Sequence, residues 1–184
     1  MRKCDLSLTL GVLIRVAALV SICSVAAGQQ ADPFAASVSA RVLLFVRTDC
    51  PITNRYAPEL QRIAKEFGGE SVGFWLVYPD PSETPNQIKA QIDEYHLPGT
   101  PLRDPHHQLV ARAHATVAPE AAVFDRAGRL IYHGRIDDRY VDIGKARPAA
   151  QTHDLEEAIK DVLAGKPVPK AETRAVGCYL ADVS

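Results

Sequence analysis

Two short apolar runs constrain this chain most: "ARVLLFV" at residues 40–46 and "VGFWLVY" at residues 72–78. Both are rich in β-branched and aromatic residues and have the length of buried strands. Between them Tyr56, Leu60, Ile63, Ala64 and Phe67 recur at helical spacing over residues 51–67, and Gly68-Gly69 ends the pattern. A strand, a helix of that length and a second strand have few packing solutions. The favoured one is a right-handed crossover joining parallel strands.

The pattern then repeats with variations. Thr84 predicts an N-cap and Pro85 a first helical residue, for a helix reaching Tyr95 with Ile88, Ile92 and Tyr95 on one face. Residues 97–105 hold three prolines and read as loop or short edge strand. Asp104-Pro105 predicts the start of a short helix over 105–113. "EAAVFD" and "RLIYHGRI" flank "RAG" and predict a hairpin. Residues 137–151 read as an irregular charged loop. Thr152 predicts the cap of a last helix, with Leu155, Ile159, Val162 and Leu163 on one face and Gly165 at its end. The fold class is therefore α/β, a central mixed β-sheet with helices on both faces and no internal repeat.

Of 184 residues, 47% are hydrophobic and 23% charged, which suits one ordinary globular domain. The formal net charge of −1 offers no electrostatic footprint for nucleic acid. Residues 1–28 combine basic Arg2 and Lys3, the apolar run "VAALVSICSV" and small residues at "AAG", the layout of a cleaved signal peptide. Arg15 interrupts any longer apolar span; the alternative is an uncleaved membrane anchor. The expected organisation is a signal peptide at 1–28, a flexible lead-in at 29–39, the domain at 40–165 and a tail at 166–184. A periplasmic or secreted location follows, with no stable membrane insertion after cleavage. Cleavage removes Cys4 and Cys23 and leaves Cys50 and Cys178. In an oxidising compartment an even pair of cysteines is either a disulfide or a redox couple.

Cys50 opens "DCPITNRYAPEL" at the first strand-to-helix junction, and Pro58 lies eight residues after it with Ala57 before the proline. "TVAPEAAVFD" places Pro119 just ahead of the first hairpin strand. On these residues the chain resembles the thioredoxin-like superfamily over roughly residues 40–165. With "CYL" near the end it looks most like the secreted redoxin-type branch, related to thioredoxins and peroxiredoxins. The resemblance implies a thioredoxin-like fold, a reactive Cys50 and a cis-proline at Pro119, beside which an extended peptide strand can pair. The chain departs from the thioredoxin Cys-x-x-Cys motif at Thr53, whose hydroxyl is expected to donate a hydrogen bond to the Cys50 sulfur. Peroxiredoxins carry Thr-x-x-Cys, the reverse of the order here.

At a helix N-terminus, unpaired N–H groups and the positive end of the macrodipole favour thiolate over thiol. Arg47 and Arg55 add positive potential and Asp49 opposes it. Cys178 is the expected partner, resolving Cys50 from a mobile arm on which Gly177 supplies backbone freedom. A permanent Cys50–Cys178 staple and a Cys178 bond between chains are the alternatives. The catalytic set is Cys50, Cys178, Thr53 and Pro119, with no cofactor and no resident metal expected. Partners are a protein disulfide or a small peroxide or thiol substrate, together with an external thiol reductant. Two other classes remain: a copper protein using Cys50, Cys178 and a histidine, of which His106 or His107 is one candidate, and a non-catalytic binding module. Residues 135–142, "RIDDRYVD", read as a solvated salt-bridged loop from which Arg135 or Arg139 can reach an acidic substrate. His153 reads as a surface residue.

Overall fold

The computed structural model describes residues 32–180 apart from residue 70. The predicted signal peptide and the last four residues lie outside the described residues.

The first half follows the predicted order. Strand β1 (Ala40–Phe45) leads into α1 (Pro51–Phe67), then β2 (Val72–Tyr78), α2 (Pro85–Tyr95) and β3 (Thr100–Arg103). β1, β2 and β3 are mutually parallel neighbours. After α3 (Gln108–Ala113) and a two-residue strand β4 (Val117–Ala118), the chain returns as the antiparallel strands β5 (Glu120–Asp125) and β6 (Leu130–Gly134). The five-stranded sheet runs β3-β2-β1-β5-β6, so it is mixed, with β1 at its centre.

Alternation along β1 sorts the core into two layers, because successive side chains face opposite sides of a sheet. Val42 and Leu44 pack with Ile52, Tyr56, Leu60 and Ile63 of α1, and with Leu155 and Ile159 of α4 (Asp154–Leu163). Leu43 and Phe45 face the other layer, with Trp75, Val77 and Val110 of α3. Helices thus cover both faces. Of the expected lead-in, Phe34 joins this second layer, and the Arg41 guanidinium donates to the carbonyls of Pro33 and Ala36 at 2.9 and 2.7 Å.

Side-chain chemistry sets the starts of α2 and α3. Thr84 and Gln87 form a reciprocal capping box on α2, as that spacing predicts. Asp104 accepts the N–H groups of Gln108, Leu109 and Val110, which starts α3 three residues later than predicted. Thr152 does not cap α4: His153 holds that position, and the Thr152 hydroxyl donates to Asp154 Oδ2 at 2.7 Å. The segment predicted as irregular contains a small hairpin, β7 (Tyr140–Asp142) with β8 (Lys145–Ala146). Two of its acidic residues are structural rather than solvated: Asp137 and Asp138 are buried, and Asp137 accepts the Tyr56 hydroxyl at 2.6 Å, whereas Asp142 is exposed. Arg135 is likewise committed, to Asp154 at 2.9 Å.

The tail departs most from expectation. The Thr173 N–H donates to the His133 carbonyl, and the His133 N–H donates to the Ala171 carbonyl. The tail therefore lies along the free edge of β6 before ending in β9 (Cys178–Tyr179), which pairs antiparallel with β4.

Candidate functional site: a thiol pair beside a cis-proline

Cys50 is the N-cap residue of α1, in extended backbone conformation, with Pro51 in the first turn. Proline suits that place because it lacks an N–H that would otherwise be unsatisfied. The helix runs on through Pro58, although proline cannot donate to the carbonyl of Asn54. The positive end of α1 faces the Cys50 side chain, which is 0% exposed. Its Sγ lies 3.1 Å from the Ala118 carbonyl oxygen.

The Ala118–Pro119 peptide bond is cis, as the resemblance implies. A buried carboxylate shapes the turn before it: Glu120 Oε2 accepts the N–H groups of Thr116 and Val117 at 2.9 and 3.2 Å. Glu120 Oε1 faces His133 Nδ1 at 3.3 Å. Sequence reasoning missed this residue, since a lone glutamate opening an apolar strand carries no visible signal.

Strand β9 lies against this turn, with Cys178 opposite Ala118 and Tyr179 opposite Val117. The register carries the Cys178 sulfur to 2.7 Å from that of Cys50. Gly177 makes the approach possible: a Cβ there would fall inside the Ala118 carbonyl. Its role is therefore close contact, not the mobility expected from the sequence. Gly134 acts alike upstream, where a Cβ would collide with the backbone of Thr173. Leu180 is buried in the second core layer, and its N–H donates to the Thr116 carbonyl. Arg47 adds a further tie, donating to the Tyr179 carbonyl at 3.0 Å.

Arg47 also chelates Asp49 at 3.0 and 2.9 Å and lies 3.5 Å from Asp80, so much of its positive potential is neutralised locally. Burial, then the hydrogen bond to Cys50 and that sulfur's charge, pushes the Cys178 thiol up to about 12. At neutral pH Cys178 therefore stays a thiol and donates its proton toward Cys50.

Thr53 lies in the first turn of α1 at 0% exposure, and its hydroxyl has no hydrogen-bond partner. This corrects the expected Thr53 to Cys50 bond. Neither adjacent histidine joins the thiols: His107 contacts the Pro79 carbonyl at 3.1 Å, and His106 has no bond to either cysteine. Among the described residues, the thiols belong to no group of three ligand atoms close enough to share a metal ion. The copper reading thus finds no third ligand beside them.

A cysteine at the β1–α1 junction, a cis-proline facing it and this mixed sheet define a thioredoxin-like protein of the redoxin class. The AhpC/TSA family pattern matches residues 29–133, more than half of the chain, and the protein belongs to that family. No curated protein matches closely enough to count as a relative. Similar solved structures include a hypothetical protein of Sinorhizobium meliloti 1021, with 26% identity, a TM-score of 0.65, and coverage of 79% of this chain and 80% of that one. An uncharacterized conserved protein from Geobacillus kaustophilus shows 24% identity and a TM-score of 0.63 over 78% and 77% of the two chains. A thioredoxin candidate from Neisseria meningitidis shares the fold at 15% identity, with a TM-score of 0.52 over 68% and 75%.

Proposed function

We propose that the protein is an extracytoplasmic thiol-disulfide oxidoreductase whose working couple is Cys50 and Cys178. The observation that carries this reading is the 2.7 Å contact between two sulfurs 128 residues apart. Cys50 is fully buried under the docked tail, so β9 first lifts from β4; the Cys50 thiolate then attacks a substrate disulfide, forming a mixed disulfide and releasing one substrate thiolate. With the Cys50 charge consumed in the mixed disulfide, Cys178 passes its proton to the released substrate thiolate, attacks the Cys50 sulfur and releases the second thiolate. The substrate gains two electrons and two protons, and the chain is left with a Cys50–Cys178 disulfide. An external thiol reductant restores both thiols. Pairing of β9 with β4 returns Cys178 to the Cys50 sulfur for the second step. The location outside the cytoplasm rests on the signal-peptide layout of residues 1–28.

Family membership favours a second reading with the same residues, thiol peroxidase. The Cys50 thiolate would attack the terminal peroxide oxygen, breaking the O–O bond, releasing the alcohol or water and leaving a sulfenic acid; condensation with the Cys178 thiol would release water and form the same disulfide.

Insulin-reduction and peroxide-consumption assays on the wild type and on Cys50→Ser test both readings. Turnover in one assay, abolished by Cys50→Ser, is expected. Turnover in neither, or turnover indifferent to Cys50→Ser, overturns the proposal and leaves the non-catalytic binding module.

A further inference from the structure

Behind the docked tail is an open cavity of about 550 Å³ that contains neither thiol. Its body wall includes His114, Glu120 and His133, and its tail wall includes Glu172 and Arg174. Asp142 contributes a third carboxylate, so three carboxylates face one guanidinium. The lining thus holds more carboxylates than guanidinium groups, which favours a cation.

The arrangement around His133 is specific. Its Nδ1 faces the buried Glu120 carboxylate at 3.3 Å, which leaves Nε2 as the nitrogen on the side of the tail. A carboxylate fixing the far nitrogen of an imidazole is the usual support of a metal-binding histidine. Nε2 points toward the exposed Glu172 carboxylate, at 3.9 Å. Two tetrahedral zinc ligands stand roughly 3.4 Å apart, so closure needs only about half an ångström. The backbone bridge between His133 and Glu172 holds the pair in register. The exposed His114 ring lies 5.9 Å from the His133 ring, centre to centre.

We propose that His133, Glu172 and, after a side-chain rotation, His114 bind a divalent transition-metal ion such as Zn²⁺, with water completing the shell and Glu120 orienting His133. The metal ties the tail, through Glu172, to the body, through the two histidines. It therefore holds Cys178 in its docked position. Among the described residues, the group whose three ligand atoms already lie within 4.8 Å of one another is a different one, Glu59, His153 and Glu156. There the cation is already supplied, since Arg62 bonds both glutamates and Lys160 bonds Glu156.

The test uses the full chain with its four cysteines changed to serine, so that no thiol competes for metal. Zn²⁺ titration calorimetry should show one saturable site. The exposed variants Glu172→Gln and His114→Ala should each weaken it about tenfold or more, and His133→Ala about a hundredfold. His153→Ala should leave it unchanged. Bound Zn²⁺ should also slow tryptic cleavage after Lys170 and Arg174, and Glu172→Gln should remove that protection. Absence of saturable binding, loss of binding in His153→Ala, or affinity unchanged in both Glu172→Gln and His114→Ala overturns the proposal.

Discussion

The sulfur atoms of Cys50 and Cys178 stand 2.7 Å apart, one at the start of α1 and the other on a two-residue strand at the far end of the described chain. Bond formation needs only a small approach from this contact, since a disulfide spans about 2.0 Å. Mild oxidation should therefore yield an intramolecular disulfide that a dithiol reverses, read by intact mass and by tryptic mapping. In Cys178→Ser, the oxidised Cys50 should instead accumulate as a mixed disulfide or sulfenic acid.

Gly177 should be the most sensitive position in the tail. Gly177→Ala puts a methyl group into the Ala118 carbonyl, a rigid backbone neighbour that cannot give way as a flexible side chain would. The strand must shift or leave, at a cost of about 1–3 kcal/mol if it stays docked. Alkylation of Cys178 should accelerate at least about tenfold at fixed pH, because exposure restores its thiolate fraction. An unchanged alkylation rate would contradict the docked arrangement.

The raised Cys178 titration has a consequence for stability. The folded, reduced protein keeps this proton up to about pH 12, whereas an unfolded thiol loses it near 8.5. Between those values the folded state binds more protons, so stability falls as pH rises. This contribution is fully present below pH 8.5. Urea midpoints of the reduced protein should decline from pH 8 toward pH 11, and less steeply in Cys178→Ala.

Thr53→Val removes a buried hydroxyl that has no partner. Replacing an unsatisfied polar group by an apolar one of the same shape should raise stability by about 1 kcal/mol. The alkylation rate of Cys50 should change little, because the hydroxyl does not bond the sulfur. A destabilised variant would show that Thr53 has a partner after all.

Tyr56 and Asp137 join α1 to the segment after β6 through a buried bond of 2.6 Å. Burial, and then that bond, holds the tyrosine proton far above its ordinary titration range. Tyr56→Phe leaves the carboxylate with the Arg139 N–H at 2.9 Å and should cost about 1–3 kcal/mol, measured by urea denaturation.

The parts legible in the sequence are those set by local chemistry. The apolar runs became β1 and β2. The periodicity from Tyr56 to Phe67 became α1, and the Thr84–Gln87 spacing became a capping box. Cys50 and Pro119 could be placed because each sits at the boundary of such an element. The tail was not legible for the opposite reason. Its two-residue strand has no period to detect, and what docks it is the absence of Cβ atoms at Gly134 and Gly177, opposite backbone far away in sequence. Thr53 and Thr152 misled because a hydroxyl at a helix start has several possible partners, and only the packed fold chooses among them.

The β4–β9 pairing also bears on how copies of this molecule meet. With β9 in place, the polar backbone groups of Val117 and Ala118 are matched within the same chain. Once the tail lifts away, the same two residues form a bare strand edge of the sort that recruits a neighbour. Any change that loosens the tail should therefore favour exchange of tails between molecules at high concentration, giving swapped dimers joined Cys50 to Cys178 in both directions.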